Sequence, residues 1–148
     1  MNEEARKVET DEEQLLYADV LGRGMKIGLL LLILTFFLYA SGIIAPAVPL
    51  DALSGYWQMD VHHYLEAVEK DYLKLGRPAT GWSWVALLGK GDYLNFVGIV
   101  ILSSITILCY LSIIPTLLRK GDRIYAIIAI LEVLILSLAA SGVLTAGH

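Results

Sequence analysis

Three long apolar runs alternate with polar stretches along the chain, at 27–50, 93–118 and 124–148. Between them they hold one charged side chain, Glu132. Crossing a bilayer takes about 20 apolar residues at about 1.5 Å of rise each, and every run reaches that length. The pattern predicts an all-α membrane protein with three transmembrane helices, over 25–50, 93–118 and 124–145. The remainder divides into a polar N-terminal segment (1–24), a loop (51–92) and a short turn (119–123).

The loop has a pattern of its own. Val61, Tyr64, Leu65, Val68, Tyr72 and Leu75 recur at three- and four-residue steps, which predicts an amphipathic helix over about 60–75. Asp60 is suited to cap its start and Gly76 to stop it before Arg77 and Pro78. Tyr64, Leu65, Val68 and Tyr72 form the face expected to meet a partner. Trp57, Trp82 and Trp84 flank this helix and are expected to anchor at the membrane interface, where a ring is buried and its polar edge stays wet.

In the N-terminal segment Thr10, Asp11 and Glu13 offer helix-start chemistry, so a short surface helix is expected to lead into the first span. The segment is acidic and the apolar run after it exceeds the core of a secretory signal, so the first span reads as a retained anchor. Arg23 and Lys26 precede span one, and Arg119, Lys120 and Arg123 crowd the 119–123 turn. Positive flanks stay inside, so the N-terminus is expected in the cytoplasm and the loop and C-terminus in the periplasm of a bacterial inner membrane.

Composition narrows the function. The 148 residues are 57% hydrophobic and 18% charged, with net charge −4 and no basic block, so nucleic-acid binding has no electrostatic footprint. The single cysteine, Cys109, excludes an intrachain disulfide and a CxxC pair. His62 and His63 both fall in the loop, so two imidazoles cannot hold a haem inside the membrane within this chain. His62, Glu66 and Glu69 share a helical face at a spacing that metal sites use, a weak signal without further ligands. No phosphate loop, nucleophile elbow or HExxH motif occurs. Neither a catalytic set nor a cofactor bound by this chain alone is expected.

Glu132 carries the most information, because a charge at mid-span costs roughly 2.5–3.5 kcal/mol on insertion scales. It shares a helical face with Tyr125, Ala129, Leu136 and Ala139. Thr106, Tyr110 and Thr35 fall at similar depth and are its candidate hydrogen-bond partners. Three readings compete: a packing carboxyl, a proton or cation path, and the wall of a quinone or lipid headgroup pocket. Asp92 reads as a cap for span two, and Pro115 as a kink or end near its far terminus.

From Leu87 onward the chain resembles the family of small bacterial membrane proteins catalogued as domain of unknown function 1634. The resemblance rests on Gly89-Lys90-Gly91-Asp92-Tyr93-Leu94 ahead of an apolar span, on Pro115 and Arg119 near its end, and on Asp122-Arg123-Ile124-Tyr125 opening the last span. It covers about 60 residues and implies a membrane hairpin without supplying an activity. Small chains of this build also look like accessory subunits of respiratory and transport complexes. The expected function is therefore a non-catalytic subunit of a hetero-oligomeric membrane complex, more in keeping with electron transfer than with transport. The alternative is a homo-oligomeric proton or cation conduit built on Glu132.

Overall fold

The computed structural model describes residues 11–144, and every described regular element is helical. Thr10 and the expected end of span three at residue 145 lie outside the described residues. The α-helices are α1 (Glu12–Ala40), α2 (Val61–Val68), α3 (Gly91–Lys120) and α4 (Arg123–Ala140). Helices α1, α3 and α4 are long and apolar enough to cross a membrane, and the chain has the build of a multi-pass membrane protein. At most 17% of any of these spans is buried within the chain, so their apolar surface is left for lipid or other proteins.

The expected surface helix and span one are a single helix. Asp11 opens it, its carbonyl accepting from Gln14 and Leu15 N–H, and no proline intervenes before Ala40. The helix stops ten residues short of the expected Leu50. Gly42 turns the chain at φ +71°, and Pro46 and Pro49 each lack the N–H that a helix interior needs.

The chain divides into two compact units, one formed by 28–101 and the other by 11–27 with 102–144. In the first unit, Gly98 of α3 lies so close to α1 that an added Cβ would meet Leu32 N, Cα and Cβ at 2.9 Å. Small residues permit such backbone approach between membrane helices. The 43–48 stretch lies against the start of α3, where Gly91 N–H donates to Ala45 O at 3.1 Å. Ala47, Val48 and Val68 form the buried apolar residues of the loop region.

Helix α2 is shorter than its periodicity predicts. It gives way at Glu69 to a π-helical turn, Glu69–Leu73, closed by Lys74 N–H on Glu69 O at 2.7 Å. Lys74 takes the left-handed conformation (φ +52°), and Gly76, the expected stop, takes it too (φ +73°). The Glu69 carboxylate then accepts from Gly76 N–H at 2.6 Å, so a side chain replaces a helical carbonyl and ends the helix early. A 3-10 segment, Gly81–Leu87, carries Trp82 and Trp84 toward α3.

In the second unit α3 and α4 form a hairpin. Gly121 (φ +80°) donates to Leu118 O at 3.3 Å and Asp122 N–H to Leu117 O at 3.1 Å, the paired bonds of a Schellman stop. Helix α3 runs through Pro115 to Lys120, so that proline does not finish it. Ala126 and Ala129 of α4 are buried with Leu117, and Tyr110, Ile113 and Ile114 pack around them. The first turns of α1 belong to the same unit. There Tyr17 meets Tyr110 edge-on at 5.9 Å, Cys109 is fully buried with its thiol toward Tyr17 O, and Lys120 Nζ pairs with Glu13 at 2.5 Å.

Candidate functional site

Within 28–101 the polar groups converge on Asp92. The sequence places it at the start of span two as a helix cap, but its carboxylate mainly serves another segment. Oδ1 accepts from Ala47 N–H at 2.9 Å and from Tyr93 N–H at 3.1 Å; Oδ2 accepts from Ala47 N–H at 3.1 Å and Val48 N–H at 3.2 Å. The two-proline stretch has few ways to satisfy its own buried N–H groups, and an acid at the helix start supplies the acceptors. Tyr39, Tyr64 and Tyr93 all lie within electrostatic reach of this carboxylate.

Beside Asp92 lies a cavity of about 180 Å³, lined by Tyr64 and Leu65 of α2, Tyr93 and Phe96 of α3, and Val48 and Ala79 from the connecting segments. Tyr93 and Phe96 stand 18° from parallel with centroids 5.9 Å apart. Phe96 stacks in turn on Trp84 at 5.9 Å, and Trp84 on Trp82 at 6.0 Å. Burial pushes the Tyr64 hydroxyl pKa up, and the charge of Asp92 adds to the shift. Sequence reasoning named Tyr64 and Leu65 as a partner surface, whereas they wall a cavity within their own unit.

Val68 is 2% exposed, covered by its own chain, so it offers nothing to a partner. Tyr72 is half-buried and meets Tyr56 edge-on at 6.4 Å. Tyr56 also meets Tyr64, at 6.0 Å, and donates to Asp71 Oδ2 at 3.0 Å. Its pKa is driven upward, first by the Tyr72 hydroxyl, then by burial and Asp71. The apolar groups that α2 and its flanks leave open are Trp57, Met59, Val61 and Leu75. Trp57 is 81% exposed and Trp82 51%, while Trp84 is half-buried in the aromatic stack.

Asp60 caps α2 as its sequence position suggests, accepting from His63 N–H at 3.3 Å and pairing with the His63 ring. His62 and Glu66 are exposed, and among the described residues no three His, Cys, Asp or Glu side chains gather as metal ligands.

The second unit holds Glu132. It is half-buried on α4, three residues past the buried Ala129, and has no hydrogen-bond partner among the described residues. Of the partners expected for it, Tyr110 is engaged edge-on by Tyr17, Thr106 is half-buried on α3, and Thr35 donates to Leu32 O of its own helix at 3.1 Å. A groove of about 430 Å³ lies on the same side of α4, walled by Tyr110, Leu117, Tyr125 and Ala129 and edged by Asp11, Glu13 and Asp122. Sequence periodicity could not reveal this groove, because it needs the first turns of α1 beside the hairpin.

The chain is 49% identical over 137 residues to an uncharacterized protein of Archaeoglobus fulgidus, a match that takes in 93% of this chain and 92% of the relative. At that identity and coverage it belongs to the same family as the archaeal protein. No family model and no solved structure matches it.

Proposed function

We propose that this family member is a non-catalytic accessory subunit of a larger complex in the cell membrane, one that serves electron transfer. Its N-terminus faces the cytoplasm and the 41–90 region the outside, following the basic flanks at Arg23, Lys26, Arg119, Lys120 and Arg123. The observation that carries the reading is Glu132. A half-buried carboxyl on an apolar helix, without a hydrogen bond from the described residues, needs an acceptor or donor from elsewhere. A neighbouring subunit is the simplest source. The broad apolar faces of α1 and α4, with Phe36, Phe37, Ile127, Leu134 and Ile135 each more than half exposed, supply area to bury against it.

The test is a pull-down of the tagged chain in mild detergent, with intact-complex mass spectrometry and an absorption spectrum. Stoichiometric partners with haem, flavin or iron-sulfur absorption are expected. A colourless homo-oligomer would overturn the accessory reading. It would favour a proton or cation conduit, for which the acid-edged groove on the Glu132 side of α4 is the specific support. In that case Glu132→Gln abolishes flux in reconstituted vesicles and leaves assembly intact.

A further inference from the structure

We propose that the cavity beside Asp92 binds a methylated ammonium group. Its walls and its charge point to that chemistry independently of any partner, because every lining residue belongs to one unit of this chain. At about 180 Å³ it is smaller than the roughly 300–1,000 Å³ of a site for a drug-sized ligand, which limits the occupant to a headgroup or a small ion. Tyr93 and Phe96, neighbours along a turn of α3, and Tyr64 of α2 supply its aromatic lining. A cation against aromatic faces is held by the ring quadrupole, and several rings around one site form the cage that recognises quaternary ammonium.

The carboxylate selects among cations. Its two oxygens offer about four lone-pair sites, and three backbone N–H groups, from Ala47, Val48 and Tyr93, already occupy them in part. A primary ammonium brings three N–H donors and would find little free acceptor capacity. A divalent metal, which takes about six oxygen ligands, would find fewer still. A trimethylammonium group needs no acceptor, only nearby negative charge and ring faces. The Asp92 charge is fixed in place by its backbone bonds, so the site is formed before the ligand arrives.

The same chemistry comes from two sources, a choline-type lipid headgroup or a free methylated ammonium compound. The experiment uses the full chain in a maltoside detergent, titrated with tetramethylammonium chloride against sodium chloride at matched ionic strength. The readout is tryptophan fluorescence, since Trp84 stacks on Phe96. A saturable change in the millimolar range is expected with tetramethylammonium alone. Phe96→Leu, which leaves the Asp92 bonds untouched, is expected to weaken binding about fivefold, and Asp92→Asn to weaken it more. In nanodiscs, loss of the response with phosphatidylcholine but not with phosphatidylglycerol identifies the lipid headgroup as the source. A response equal in both identifies the free ion. Identical, non-saturating curves for sodium and tetramethylammonium would overturn the proposal, as would an unchanged midpoint in a folded Phe96→Leu protein.

Discussion

Two carboxylates mark the difference between the two units. Asp92, in 28–101, receives N–H donors from Ala47, Val48 and Tyr93 and ties a segment 44 and 45 residues away to the start of α3. Glu132, in the α3–α4 hairpin, receives none from the described residues. The first acid is consumed by its own fold. The second is left for something outside the described residues.

The sharpest way to break this contrast is to remove the satisfied acid. Asp92→Ala strands the N–H groups of the buried Ala47 and Val48, and hydrogen bonds to charged groups contribute about 1.5–3 kcal/mol each. A loss of about 3 kcal/mol or more is expected, seen as a lower unfolding midpoint in detergent and as faster proteolysis within 41–50. Asp92→Asn keeps one acceptor oxygen and should lose about half as much. An unchanged midpoint for Asp92→Ala would mean that the 43–48 stretch holds its place without the clamp.

Next in size is a pair of glycine substitutions, one in each unit. A Cβ on Gly98 would strike the Leu32 backbone at 2.9 Å, which cannot give way without moving α1. On Gly24 it would strike Ile105 Cγ1 at 2.8 Å, the side chain of a residue able to change rotamer. Overpacking costs typically about 1–3 kcal/mol, and alanine returns up to about 1 kcal/mol of helix propensity. Gly98→Ala is therefore expected to destabilise by about 1–2 kcal/mol and Gly24→Ala by less than about 0.5 kcal/mol. Equal losses would show that the two helix contacts are alike after all.

The same contrast explains what the sequence made legible. The last two long helices follow local pattern: against the expected 93–118 and 124–145 they run Gly91–Lys120 and Arg123–Ala140, because apolar length is a local signal. Asp60 is likewise a local cap, read from its place before Val61. The Asp92 clamp is not local. Nothing within a helical window tells that an acid at 92 will serve N–H groups at 47 and 48, although the two prolines there hint at a segment in need of acceptors. Val68 and Tyr64 show the complementary limit. Periodicity grouped Tyr64, Leu65, Val68 and Tyr72 on one expected face but could not say whether those residues meet a partner or their own chain.

Replacing the unsatisfied acid should matter little in isolation and much in company. Glu132→Gln is expected to shift the stability of the purified chain by no more than about 0.5 kcal/mol, since no bond to a described residue is lost. Recovery of the native assembly, measured by co-purification, should fall severalfold if a partner subunit supplies the missing bond. A large loss in the isolated chain would instead mean that Glu132 has a partner within its own chain.

The smallest effect concerns a third carboxylate, Asp60, which resembles Asp92 in capping backbone N–H but sits in solvent. The His63 hydrogen bond lowers the Asp60 pKa, with its backbone bond and charge adding to the effect. The Asp60 hydrogen bond, and then its charge, raise that of His63. A lowered acid contributes above its unfolded pKa of about 3.9 and loses that contribution as pH falls through the folded value. A raised histidine contributes fully below about pH 6.5 and loses that contribution as pH rises through its folded value. Protection of α2 should therefore be greatest between about pH 4 and 6.5. It should decline on both sides, because the pair is exposed and each partner needs the other charged. Amide exchange at His63 and Tyr64, corrected for its intrinsic pH dependence, should slow from pH 8.5 to pH 5.5, and Asp60→Asn should flatten the profile. A profile already flat in the unmodified chain would leave the 3.3 Å backbone cap as the whole of what Asp60 contributes. Asp60 would then resemble Asp92 in kind, a fixed acceptor for backbone N–H, and differ from it only in burial.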